Sequence, residues 1–257
     1  MWKRIRIGIL LLVLLVVASD AWLDRHRTAS WQQMVWVGIY PVAADASAAT
    51  AAYLAALRRA QFAGIEAFYA REARRYGLAL TPPVRVELYP PRADAPPALA
   101  ADAGPLERLL WSLELRFYAW NTPRSPGQPA PNVRLFALYH DPALTPIVPA
   151  SHAMQNGLVG IAHLFAVSAA AGANDLVVAH EVLHTFGATD KYDPRTNMPL
   201  YPDGYAEPTA EPRYPQAAAE IMAGRRALSD TRYEDPQSLE EVVVGRRTAR
   251  EINWLGP

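Results

Sequence analysis

The segment "HEVLHTFGATDKYD", His180 to Asp193, sets two histidines on either side of a glutamate, one helical turn apart. Residues four apart on an α-helix stack on one face. His180 and His184 therefore project together, and two imidazoles so placed can meet one ion at about 2.0–2.1 Å each. Glu181 is turned about 100° around the helix, away from a shared ligand position and towards a water held beside the ion. That is the role of the glutamate in H-E-x-x-H. Zinc lowers the pKa of a bound water to roughly 7, and a carboxylate can take its proton as the water attacks a carbonyl. The surrounding "LVVAHEVLHTF" is apolar on nearly every side, so this helix is expected to be buried. A buried His-Glu-His face with no ion is costly to satisfy, which argues against incidental histidines.

Two histidines leave a tetrahedral site incomplete. Gly187 can take the left-handed conformation that turns the chain sharply after the helix, and Asp190 can then swing back as the third ligand. His₂Asp with one open position suits a catalytic zinc site. The plainer reading of Asp190 is a turn residue, and Asp193 and Glu207 are the competing carboxylates. Asp193 lies beside Pro194 and looks more like a turn former. Tyr192, Tyr201, Tyr205 and Tyr214 are candidate donors to a developing oxyanion. His140 in "YHDP" and His152 in "ASHAMQNG" are candidates to line a cleft, while His163 lies in an apolar strand and is expected in the core.

The elements that must hold these residues alternate. "MVWVGIYPV" (Met34–Val42), "PVRVELYPP", "NVRLFALYH" and "GLVGIAHLFAV" read as strands. A long helix is expected through "TAAYLAALRRAQFAGIEAFYAREARRYGL", capped at Gly77, and a second in "GPLERLLWSLELRFYAW" with Pro105 in its first turn. The motif helix follows, with Asn174 or Asp175 where an N-cap belongs. Beyond Gly187 the chain is mostly proline-broken loop, with a final helix expected around "TAREINWL". This is an α/β pattern with a loop-rich end. His163's strand is a candidate edge for binding an extended substrate by β-augmentation.

Composition narrows the function. The chain has 257 residues, of which 51% are hydrophobic and 19% charged, the balance of a globular domain. Formal net charge is zero, so no basic footprint for nucleic acid exists. With no cysteine, zinc can be held only by His, Asp or Glu. The opening "MWKRIRIGILLLVLLVVASDA" puts Lys3, Arg4 and Arg6 before an apolar run from Ile7 to Ala18. That reads as a signal peptide or an N-terminal membrane anchor over residues 1–21, and the rest is expected outside the cytoplasm. Residues 22–32 form a spacer. Residues 33–257 form one catalytic domain, with an upper subdomain at 33–187 and a loop-rich lower one at 188–257.

"HEVLHTFGATD" resembles the metzincin clan of zinc metalloproteases, in the variant with Asp in place of the usual third His. It is similar to snapalysin-type proteases, and the following "KYD" to immune inhibitor A-type proteases. "EIMAG", Glu220 to Gly224, resembles the methionine-containing turn that lies beneath the metal in that clan, with Met222 as its methionine. "IYP", "RYGL", "WSL", "YHDP", "ATDKYD" and "AEIMAGR" together resemble a bacterial family of membrane-associated metalloproteases. The likeness implies an α+β zincin fold with a twisted mixed sheet, Zn²⁺ on His180, His184 and Asp190, Glu181 as general base, and a protein or peptide substrate. It also implies a membrane as partner wherever the N-terminal segment is uncleaved. The competing readings are a zinc amidase acting on an envelope amide and a non-catalytic zinc-stabilised binding module.

Overall fold

Strand β1 (Val35–Ala43) is apolar along almost its whole length and buried on both faces, as parallel strands covered by helices must be. In this computed structural model, residues 30–100, 102–123, 127–155 and 157–255 are described, together with Arg6. The expected targeting segment and most of the spacer lie outside the described residues. Among the described residues no helix is long and apolar enough to cross a membrane.

The chain continues through α1 (Ala48–Ala56), a 3₁₀ turn at Arg59–Phe62 and α2 (Ala63–Arg75). Next come β2 (Val84–Leu88), α3 (Pro105–Trp120), β3 (Val133–His140), β4 (His152–Ala153), β5 (Val159–Phe165) and α4 (Ala171–Thr185). The five strands form one sheet in the order β2-β1-β3-β5-β4. All pairings are parallel except β4 with β5, which is antiparallel. The molecule is thus a mixed α/β structure. Helices α2 and α4 share one core with one face of the sheet, through Ile65, Phe68, Tyr69, Val178, Val182 and Leu183. Leu115 and Ala119 of α3 close the other face against Tyr40, Phe136 and Ile161.

Four expectations are corrected. The long first helix is two helices: Leu57 and Arg58 are extended, Gln61 accepts from Arg58 N–H, and the break lets both Leu57 and Phe62 reach the core. Its end at Gly77 stands, with Leu78 N–H donating to Ala73 O. Helix α4 begins at Ala171, earlier than expected, and neither Asn174 nor Asp175 caps it. The Asn174 amide instead bonds the N–H and C=O of Phe165, fastening α4 to β5. The strand of His163 is not the sheet's edge, because β4 covers it at Gly160 and Ile161. His163 itself is only half-buried, and its ring is 2.8 Å from His140 Nε2.

After Gly187 no long element forms. Two short pairings appear, β6 (Ala219–Glu220) with β9 (Val242–Val243) and β7 (Arg226–Ala227) with β8 (Tyr233–Glu234), and then α5 (Arg246–Glu251). Buried charges tie these loops to the helical layer. Glu72, fully enclosed on α2, accepts from Val244 N–H and pairs with Arg71 and Arg75. Trp31, at the start of the described chain, donates its indole N–H to Ile252 O.

Candidate metal centre

Helix α4 buries Val178, Ala179, Val182 and Leu183 and turns His180 and His184 towards a cleft. Each fully buried aliphatic side chain of that set contributes about 1.5–3 kcal/mol, so the orientation of the helix is firmly held. The helix ends at Thr185, and Gly187 follows with φ +112°, a value that favours glycine. Residues 188–190 then run back past the helix end.

That return brings Asp190 to the two histidines. Its Oδ1 lies 3.2 Å from His180 Nε2 and 3.2 Å from His184 Nε2. Donors about 2.05 Å from a tetrahedral ion are spaced about 3.3 Å apart, and the two distances from Asp190 Oδ1 match that spacing. The tautomers agree. His180 Nδ1 donates to Ile221 O at 2.9 Å and His184 Nδ1 to Ala188 O at 2.8 Å, which leaves both Nε2 atoms without their protons in the neutral rings. Glu181 is also close, with a carboxylate oxygen within 4.8 Å of both imidazoles. Asp190 offers one oxygen at 3.2 Å from both nitrogens, and Glu181 and Asp190 are the two carboxylates near the pair among the described residues.

The Glu181 side chain has a different character. It is 5% exposed, and its Oε2 has no hydrogen-bond partner among the described residues. Burial pushes its pKa up, against the pull of the two imidazoles. An orphaned carboxylate oxygen this deep costs free energy unless something polar meets it, and it lies beside the three converging atoms. With no ion bound, each ring that also carries a proton on Nε2 donates to Asp190; burial acts upwards on that carboxyl, but these hydrogen bonds outweigh it and hold it well below the usual range. In His180 burial disfavours the charge, yet the Asp190 hydrogen bond and the charges of Glu181 and Asp190 raise the pKa to about 9. The donor set and the orphaned oxygen fit a divalent zinc ion.

The segment resembling the clan's turn lies under His180. Gly224 takes φ +66°, and Ala223 and Gly224 N–H both return to Glu220 O, which makes a tight turn. Ile221 supplies the carbonyl that orients His180, and Met222 is wholly buried. Met222 O accepts from Lys191 N–H at 2.9 Å, so the turn is joined to the residue after Asp190. The turn is held from the far side as well: buried Glu220 accepts from Ala223 N–H, Gly245 N–H and Thr248 Oγ1. Lys191, 4% exposed, bonds Thr189 O and Glu251, and Glu251 also accepts from Thr189 N–H.

Asp193 instead accepts from Arg195 N–H in its own turn, and Glu207 is exposed. Of the four tyrosines, Tyr192 lines a cavity of about 420 Å³ together with His163, His180, Glu181 and Arg225. Tyr201 and Tyr214 line a separate pocket, and Tyr205 bonds Tyr214 through their hydroxyls. A second cavity of about 360 Å³, also lined by Glu181, is bounded by His152, Ala153, His184, Asp190, Arg108 and Trp111. His152 therefore borders the site, whereas His140 is buried against His163. Arg108, Trp111 and Arg225 were not singled out from the sequence, because a lone Arg or Trp in a helix or loop carries no spacing signal. Arg225 packs near the rings of Tyr192 and Tyr233 and pairs with Asp235 at 3.6 Å. In comparison with known proteins, the chain matches no family model and no curated protein.

Proposed function

We propose that this chain is an exported zinc-dependent metallopeptidase of metzincin-like fold, with His180, His184 and Asp190 holding the ion. The observation that carries this reading is Glu181: a buried carboxylate with an unpartnered oxygen, beside two imidazoles that share one Asp190 oxygen at 3.2 Å. A purely structural ion has no use for such a group. Bound there, zinc supplies Lewis acidity, acidifying water and polarising a carbonyl.

The protein's own groups do the rest. Glu181 Oε2 accepts the proton of the attacking water and passes it to the leaving nitrogen. Ile221 O and Ala188 O fix the imidazoles so that Nε2 of each faces the site. Tyr192 borders the cavity that contains Glu181, and burial keeps its phenol protonated as a donor to the oxyanion. The two cavities that share Glu181 as lining give the chain flanking a scissile bond a place to lie. Strand β4 borders one of them at the edge of the sheet, where an extended peptide can add a strand.

The test is metal analysis of the purified protein together with hydrolysis of an unstructured polypeptide, before and after chelation. About one zinc per chain is expected, with cleavage lost on chelation and restored by zinc. Turnover of envelope amide fragments but of no peptide would replace the reading with an amidase. Bound zinc without any hydrolysis would replace it with a binding module.

A further inference from the structure

Helix α3 is apolar on two opposite faces. Leu115 and Ala119 are buried against the sheet. The other face carries Leu106, Leu109, Leu110, Leu113, Phe117 and Trp120, which are 51–77% exposed. At 100° per residue these six fall within an arc of about 100°, along about 21 Å of helix. Arg116 borders the arc on one side and Glu107 and Glu114 on the other, and no charge interrupts it. Single exposed leucines are ordinary, but a contiguous ridge of this size marks an interaction surface.

The rest of the chain indicates the occupant. The apolar run Ile7–Ala18 falls short of the roughly 20 residues needed to span a bilayer. Wherever it is retained it is a marginal hold, and stable attachment takes a second contact from the same molecule. Trp31 is packed into the domain, so residues 22–30 join the apolar run to it and would reach at most about 32 Å if extended. The surface of the domain then decides which face meets the lipid. The ridge is a convex row of Leu, Phe and Trp with polar margins, the form of a helix that lies in the plane of a membrane interface.

We propose that α3 docks flat on a lipid bilayer through this ridge. Arg108 and Trp111 wall the candidate cleft from the face of α3 opposite the ridge, so docking holds that cleft about one helix diameter, roughly 10 Å, from the bilayer surface. On the peptidase reading, and only on it, the substrates are then membrane-proximal polypeptide segments. The docking itself does not depend on that reading.

The absence of cysteine makes the test direct, because one introduced thiol is labelled uniquely. The full chain carrying Leu113→Cys, or Phe117→Cys as a second position, is labelled with nitrobenzoxadiazole and mixed with phosphatidylcholine vesicles. The same label on Arg74→Cys, exposed on α2, is the control. At 113 and 117 the emission should shift to the blue, be quenched by bromines on the lipid chains and lose its accessibility to aqueous iodide. At 74 none of these should occur. A label at 113 and 117 as open to iodide as that at 74 overturns the proposal. So does shielding from iodide without quenching by brominated lipid, since residues 7–18, a second copy or another protein would then be the cover. Neither readout involves hydrolysis, so failure of the peptidase reading leaves the result standing.

Discussion

Glu181→Gln exchanges one buried carboxylate oxygen for an amide nitrogen and leaves the shape of the side chain almost unchanged. The three atoms assigned to the ion, Nε2 of His180, Nε2 of His184 and Oδ1 of Asp190, do not include it. Metal content should therefore stay at the wild-type value. What disappears is the proton acceptor, and a positioned general base contributes about 10²–10⁴-fold, or about 2.7–5.5 kcal/mol of barrier. The assay is kcat/KM on a fluorogenic peptide, with metal stoichiometry measured on the same sample. A fall of at least about 100-fold with zinc retained is expected. Stability gives a second readout. The Glu181 pKa is raised by burial, so the folded state holds the proton more readily than the unfolded chain. Stability of the metal-free protein then falls as pH rises above the ordinary carboxylate range. The Gln variant escapes that loss, and without metal it should melt no lower than wild type at pH ~8. Full metal together with activity within about threefold of wild type would refute the assignment of the base.

Other substitutions and titrations separate the remaining roles. A ligand at 1,000 times its Kd stabilises by about 4 kcal/mol, so saturating zinc should raise the wild-type Tm by about 8–16 °C. In Asp190→Ala most of that rise should vanish; an undiminished rise would move the third ligand to Glu181. In the metal-free protein His180 titrates near 9, so zinc uptake at pH ~8 should release a proton. Calorimetric titration in two buffers of different ionisation enthalpy would show it, and identical heats would count against it. Asp175, half-buried on α4, has its pKa raised to about 7 by burial. The folded state binds its proton more tightly, so stability is lost as pH rises from about 4 to about 7. Asp175→Asn should thus stabilise by about 1–2 kcal/mol above pH ~7, allowing for solvent screening, and by little at pH ~4. Urea unfolding at the two pH values measures the difference, and an equal gain at both would contradict this origin.

The motif helix was legible because its residues act locally. The spacing of His180, Glu181 and His184 is a property of one helix, and Gly187 marks its own turn. The return of Asp190 to the two histidines was legible for a related reason, since a loop of three residues has few ways to run. The two-residue strand β4 was not: "ASHAMQNG" lies among prolines, and its pairing is decided by β5, not by its own composition. The break at Leu57–Arg58 carries no glycine or proline, and tertiary packing of Leu57 and Phe62 outweighs helix propensity there. Asn174 looks like a cap because its amide competes for backbone groups. It does so, but with the neighbouring strand. The leucines of α3 show a further limit: periodicity identifies an apolar helix, but it does not say which of two apolar faces the protein covers.

The ties around Asp190 bear on when the site can exist. Thr189 and Lys191 are held by Glu251, and the turn under His180 is pinned through Glu220 by Gly245 and Thr248. A ribosome delivers His180 and His184 some sixty residues before these clamps. Until residues 245–251 have emerged and docked, a nascent chain has its imidazoles but no fixed place for the carboxylate that joins them. On the proposed metallopeptidase reading, a chain still being made would lack the finished centre until those clamps have docked.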